Sequence, residues 1–190
     1  MLSHHVAITS TLSVFEVSVP NRPSLRNQSF RNAIRLSEVL TAEALSTYLL
    51  VRDLNAEGNR AEARLLKMEM QFEREFAKAG GLLLAGCDPT SYGGVVPGYC
   101  DQRELELLVE AGFTPVEAIH IATQNGAIFL GEDATIGTVA AGKSADLVVI
   151  AGNPAQKIDD IENVEMVFKD GAGYDPGKLI KSVAGLVGLR

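Results

Sequence analysis

The sequence predicts an α/β chain, and three observations carry that prediction. A helical segment opening at Asn59 stops at Gly80-Gly81, and the apolar run Leu82-Leu83-Leu84-Ala85-Gly86 follows at once, so a helix delivers the chain into a strand. A short, continuous apolar run suits a parallel strand covered on both faces better than a half-exposed antiparallel one. After Gly131 the texture changes to β-prone segments, Gly137-Thr138-Val139, Ala145 to Ile150 and Val164 to Phe168, separated by Gly, Asn and Pro turns.

Each element has its own signal. Val6 to Leu12, rich in Thr, Val and Ile, and then Phe15 to Val19, read as strand followed by a loop broken at Pro20 and Pro23. Ala33 to about Asp53 places Ile34, Leu36, Val39, Leu40, Leu45, Leu49 and Leu50 at helical spacing, with a weak point near Thr41. Asn59 with Glu62 forms a capping-box pattern, and Leu65, Met68, Phe72 and Phe76 repeat along one face of the helix it opens. The charged residues between Arg60 and Arg74 form its solvated side.

Gly93, Gly94, Pro97 and Gly98 make a loop, and Arg103 to Ala111 returns to helix. Thr114-Pro115 places a cap before a proline at the first helical position, with Glu117 in the first turn, so a helix is expected from Val116 to about Gln124, ended by Asn125-Gly126. Lys143 and Asp146 belong to a tight turn between strands. The tail from Asp175 holds a short helix through Leu179, Ile180 and Val183, weakened by Gly185 and Gly188.

Composition sets the outer bounds. At 190 residues and 46 % hydrophobic, the chain can bury the core of one domain and a small second one. With 24 acidic against 17 basic residues and no Lys/Arg cluster, nucleic acid is not an expected partner. No stretch approaches the roughly 20 apolar residues of a membrane span, and Met1 to Val6 carries no targeting pattern, so membrane association is not expected and a cytoplasmic location is. Cys87 and Cys100 stand without a CxxC or a disulfide framework, which fits a reducing compartment. Gly93-Gly94 and Gly98 match neither a P-loop nor a dinucleotide fingerprint.

Three blocks carry a resemblance: Ala79 to Asp88 (AGGLLLAGCD); Arg103 to Ala118 (RELELLVEAGFTPVEA), continuing into Ala122-Thr123-Gln124-Asn125-Gly126-Ala127 and Leu130-Gly131; and Gly137 to Ile150 (GTVAAGKSADLVVI). In this order and spacing they resemble the C-terminal part of the amidohydrolase superfamily, in the branch with imidazolonepropionase-like and metal-dependent dipeptidase-like members. The resemblance implies the last two or so β/α units of a (β/α)8 barrel over residues 1–133, a β-sandwich segment over 134–171 and a terminal tail over 172–190.

It also implies a site. In the family an Asp at the end of the last barrel strand, here Asp88, binds a divalent metal, most often zinc, and takes the proton of the attacking water. Position alone independently puts Asp88 where barrel enzymes build their sites, at the C-terminal end of a strand. The plainer reading of Asp88-Pro89 is a turn opener. Thr90, Ser91, Tyr92 and Tyr99, on the following loop, are candidate contacts for a small amide, cyclic-amide or dipeptide substrate. Cys87 stands where many members have Thr. It is expected to be a small buried residue, its side chain directed away from that of Asp88 and not a nucleophile.

The chain departs from the family in its missing ligands. His4, His5 and His120 are its only histidines and form no His-x-His pair. His4 and His5, adjacent on a strand, would face opposite ways, and His120 reads as a helix-surface residue. Val6 to Leu12 then corresponds to the seventh barrel strand and residues 82–88 to the eighth, with strands one to six expected before Met1. The expected function is a part of a metal-dependent C–N hydrolase, inactive alone and without bound metal. The competing expectation is a non-catalytic assembly module or half of a split barrel, prone to self-association through exposed strand edges.

Overall fold

The computed structural model describes residues 2–4, 6–19, 22, 37–54, 60–89 and 94–188. Strand β1 (Ala7–Ser10) pairs in parallel with β2 (Leu82–Ala85), in the register Ala7 with Leu82 through Ser10 with Ala85. Between them run α1 (Leu12–Glu16), α2 (Ala42–Leu54) and α3 (Arg60–Lys78). After β2 come α4 (Tyr99–Glu110), α5 (Pro115–Ala122) and α6 (Gln124–Leu130), then β3 (Leu147–Ile150), β4 (Val164–Lys169), β5 (Ala172–Tyr174) and α7 (Pro176–Ser182). The parallel strand pair with helical connections is α/β, as the apolar run at Leu82 predicted.

One core joins the parallel pair to its helices. Leu83 of β2, Leu12 of α1, and Leu107 and Leu108 of α4 are fully enclosed, with Leu66, Met70 and Phe76 of α3, Phe113, and Ala118 and Ile121 of α5 around them. A second cluster, Val39, Leu40, Tyr48 and Val96, is closed by Ile180 and Val187 from the end of the chain. That return is fixed by backbone hydrogen bonds from Thr41 N to Val187 O at 2.9 Å and from Val187 N to Val39 O at 3.0 Å.

Three elements differ from expectation. Phe15 to Val19 is not extended; the chain forms α1 instead, and no side chain near the cap holds its start. The N–H groups of Leu12 and Ser13 are taken by Glu104, over 90 residues away in sequence, so no local pattern betrays this helix. Helix α3 turns a different side inward: Leu66, Met70, Glu73 and Phe76 are buried, while Leu65, Met68 and Phe72 are 38, 59 and 44 % exposed. The reading by apolar spacing went wrong because a glutamate occupies one of the inward positions.

The helix after Thr114 forms with the full capping box, Thr114 accepting from Glu117 N and Glu117 reaching back to Thr114 N. It breaks at Thr123, and α6 then runs through Asn125 and Gly126 where a stop was expected. Asn125 spends its side chain on β2, donating to Leu83 O at 2.8 Å. The proposed cap Asn59 lies outside the described residues.

Beyond residue 134 the first strand is β3, and Gly137 to Val139 forms no strand. A three-stranded antiparallel sheet, in the order β3-β4-β5, occupies this region; among the described residues no second sheet faces it to make a sandwich. Lys143 and Asp146 serve the fold, as expected, but not in a turn between strands, because no strand precedes β3 in this region. Lys143 donates to Asp133 O at 2.6 Å and Ile136 O at 3.1 Å, and Asp146 accepts from Lys169 and from Asp170 N, both at 2.8 Å. Asp175 caps α7 by accepting from Lys178 N.

Candidate active site

The C-terminal ends of β1 and β2 lie side by side because Gly86 N donates to Ser10 O at 2.9 Å and extends the parallel ladder by one step. Two residues beyond Gly86, Asp88 sits exposed in the left-handed backbone region, with φ 43°. Asp tolerates that conformation better than most side chains. Its neighbour Cys87 is buried, so the two side chains take opposite environments, as expected. Thr90, Ser91 and Tyr92 lie outside the described residues. Tyr99 opens α4 and packs half-buried against the cluster of Val39, Leu40, Tyr48 and Val96.

Cys87 does not stand alone. It is disulfide-bonded to Cys100 in α4, with Cα atoms 5.5 Å apart, so the segment from the end of β2 to the start of α4 is closed into a loop. This corrects the expectation of two isolated cysteines: they stand 13 positions apart in sequence, and only the fold brings them together.

Neither described histidine joins Asp88 in a group of three or more ligands close enough to share a cation. His4 is exposed in a 3-10 turn, not a strand, and His120 is exposed on α5; His5 lies outside the described residues. The group of His, Cys, Asp or Glu side chains close enough to share a cation, among the described residues, is Cys87, Cys100 and Asp101, with ligand atoms within 4.8 Å of one another. Asp88 is not in it, and joined sulfurs offer no thiolates. Zinc sites use three or four protein ligands. The described residues therefore do not fit a metal centre at Asp88.

Composition gave no sign of the acidic cluster beneath the strand ends. Ser10, the last residue of β1, is fully buried, with its Oγ 2.7 Å from Glu73 Oε2 and 2.6 Å from Glu104 Oε1. Glu104 also accepts from Leu12 N at 3.0 Å and Ser13 N at 2.9 Å. Burial pushes the Glu73 carboxyl up to about 7, with the charge of Glu104 adding to the effect and the Ser10 hydrogen bond opposing it. Burial also raises Glu104, against the hydrogen bonds it accepts from Ser10, Ser13 and Leu12.

Beside this cluster, Arg103 bridges Glu16 at 2.7 Å and Glu106 at 2.5 Å, and Arg22 reaches Glu16 at 2.9 Å and pairs with Glu110. Burial works against the Arg103 charge, yet Glu16 and Glu106 hold its pKa above the ordinary value. One signal could have found these residues. Glu104 stands at helical spacing with Leu107, Leu108 and Ala111, on the inward side of α4.

Residues 38–172 match the profile of the amidohydrolase family. An imidazolonepropionase of Porphyromonas gingivalis is 32 % identical over 100 residues, which are 50 % of this chain and 24 % of that enzyme. Among solved structures, a putative prolidase from Bifidobacterium longum is 30 % identical with a TM-score of 0.57, covering 88 % of this chain and 35 % of its own. A Xaa-Pro dipeptidase with methionine in its active site is 25 % identical, TM-score 0.61, over 92 % of this chain and 36 % of its own. A bottromycin amidohydrolase shares the fold, with a TM-score of 0.68 over 95 % of this chain and 40 % of its own. The chain thus spans two fifths or less of these relatives, and its family match runs from before α2 to β5: it belongs to the amidohydrolase family.

Proposed function

We propose that this chain supplies the C-terminal third of a metal-dependent amidohydrolase acting on a C–N bond of a small amide, cyclic amide or dipeptide. The observation that carries the reading is Asp88, an exposed carboxylate two residues past the hydrogen bond that links the ends of the parallel strands. Barrel enzymes place their catalytic groups at that end. The similarity to an imidazolonepropionase and to prolidase-type structures supports C–N hydrolysis as the reaction class.

In this reading Asp88 is one metal-ligating carboxylate, and the remaining ligands come from the part of the barrel that these residues do not include. Thr90, Ser91, Tyr92 and Tyr99 are the proposed substrate contacts, with Tyr99 standing at the start of α4 and not on the loop. The 190-residue chain alone is then inactive. The test is hydrolysis of a panel of dipeptides and cyclic amides, with added zinc, by the chain and by its Asp88→Ala variant. Turnover that disappears in the variant would overturn the reading; no turnover above the variant's background supports it.

One observation favours a second reading, assembly with a separate partner polypeptide. Among the described residues β1 and β2 have only each other as strand neighbours, which leaves outer edges able to pair. A sharp monomer in size-exclusion chromatography with light scattering would count against it.

A further inference from the structure

The hydrogen atoms around Ser10 do not balance if every glutamate beneath the strand ends is ionised. A serine hydroxyl donates one proton. Ser10 Oγ nevertheless stands at hydrogen-bond distance from two carboxylate oxygens, Glu73 Oε2 at 2.7 Å and Glu104 Oε1 at 2.6 Å, and all three side chains are at most 4 % exposed. Two ionised carboxylates would leave one contact as a lone pair facing a lone pair, without water to separate them. One of the two must therefore be a carboxylic acid that donates to Ser10.

The backbone decides which. Glu104 accepts the N–H groups of Leu12 and Ser13 as well as the Ser10 hydroxyl, and such donors favour an ionised acceptor. Among the described residues Glu73 has Ser10 as its hydrogen-bond partner, and the neighbouring charges that act on it, Glu104 and Glu69, share its sign. We infer that Glu73, Ser10 and Glu104 hold a single proton on Glu73, making a latch that fastens the end of β1 and releases when that proton leaves.

The latch reaches three elements. Glu73 lies on α3, Ser10 ends β1, and Glu104 on α4 holds the first turn of α1. Ser10 O in turn accepts Gly86 N, two residues before Asp88. Of the other charges on the packed elements, Glu69 of α3 acts on Glu73 with the same sign, and those of α1 and α4 nearest the cluster are paired. Glu16 of α1 is held by Arg22 and Arg103, and Arg103 and Glu106 of α4 hold each other, while β2 contributes only apolar side chains.

The direction of the pH effect follows. The Glu73 carboxyl in the fold sits at about 7, above the ordinary 4.5, so its contribution to stability is complete below about 4.5 and is lost as pH rises through about 7. Across that window the unfolding equilibrium constant rises by up to about tenfold per pH unit, and then levels off. Protection of the Leu12, Ser13 and Gly86 amides should fall over the same window.

The experiment is a pH series of urea unfolding and amide hydrogen exchange on the full chain, with the variants Glu73→Gln and Glu104→Gln. In Glu73→Gln the side-chain amide takes over the donor role to Ser10. It should fold, keep its strand-end protection and lose the pH dependence between about 5 and 7. Glu104→Gln should lose stability at every pH, because an amide cannot accept all three donors. An infrared band of a protonated carboxyl in the unaltered chain near neutral pH, absent in Glu73→Gln, completes the expected result. A pH dependence that survives Glu73→Gln, or a tolerated Glu104→Gln beside a damaged Glu73→Gln, overturns the assignment. So does the absence of a protonated-carboxyl band.

Discussion

Glu104 and Leu12 are joined across 92 residues of sequence by a 3.0 Å hydrogen bond from the Leu12 amide to the Glu104 carboxylate. A second bond from Ser13 N, at 2.9 Å, makes this one side chain the N-terminal cap of α1. Helices leave their first N–H groups unpaired and take a local Ser, Thr, Asp or Asn to satisfy them. Here the acceptor comes from α4.

Glu104→Ala should therefore cost more than an ordinary cap. It removes the partner of two backbone donors and of the Ser10 hydroxyl, all on buried residues. A loss on the order of 3 kcal/mol is expected from stranded buried donors alone. Urea unfolding followed by circular dichroism checks it, and a loss below about 1 kcal/mol, the worth of an exposed cap, would count against it.

Arg103 neutralises two buried acids, Glu16 and Glu106, each 3 % exposed at its side chain. Arg103→Met should leave Glu16 with Arg22 and take the guanidinium away from Glu106, destabilising the chain by about 3 kcal/mol. The double change of Arg103→Met with Glu106→Gln should cost less than the sum of the single changes, which a double-mutant cycle of unfolding free energies measures.

Closing a loop of the size between Cys87 and Cys100 removes chain entropy worth about 3 kcal/mol from the unfolded state. Thermal unfolding should move to lower temperature in the presence of a thiol reductant, and Cys100→Ser should unfold at the same temperature with or without it. Mass spectrometry of the untreated chain should show a species two hydrogens lighter than the reduced one.

Thr114→Ala removes the side-chain half of a capping box at the start of α5 and should cost about 1 kcal/mol. Glu117, the other half, is held below the usual carboxylate range by its hydrogen bonds to the Thr114 backbone and hydroxyl. Its contribution is present above the ordinary carboxylate pKa and lost as pH falls through the lowered one. The stability difference between Thr114→Ala and the parent should accordingly shrink on strong acidification.

Leu65, Met68 and Phe72 share an exposed side of α3, and Ile128, Phe129 and Leu130 are exposed on α6. Apolar surface of this kind favours association. The chain should elute as more than a monomer, and Met68→Lys with Phe72→Lys should shift it toward the monomer without changing its helical content, as read by light scattering and circular dichroism.

The sequence made some of this legible and hid the rest for physical reasons. Leu82 to Ala85 reads as a covered parallel strand because an unbroken apolar run has few other uses, and Thr114-Pro115 with Glu117 reads as a helix start because capping is local. The inward side of α3 was not legible: Glu73 looks like a surface residue until Ser10 is brought against it. Helix α1 was hidden for the same reason, since its cap is supplied by a different helix. The place of Asp88 beyond the end of a strand was legible. The Cys87 to Cys100 bond was not, because it depends on where α4 begins.

The return of the chain end to its early helical region has a practical side. Val187 bonds to Val39 and Thr41 and, with Ile180, lies against Tyr48 and Val96. A protein shortened by its last dozen residues would bare that apolar floor, and a carboxypeptidase would do the same only to a chain that has let Val187 go. The integrity of the C-terminus is thus a readout of folding, since a folded chain shields Val187 from the protease and an unfolded one surrenders it.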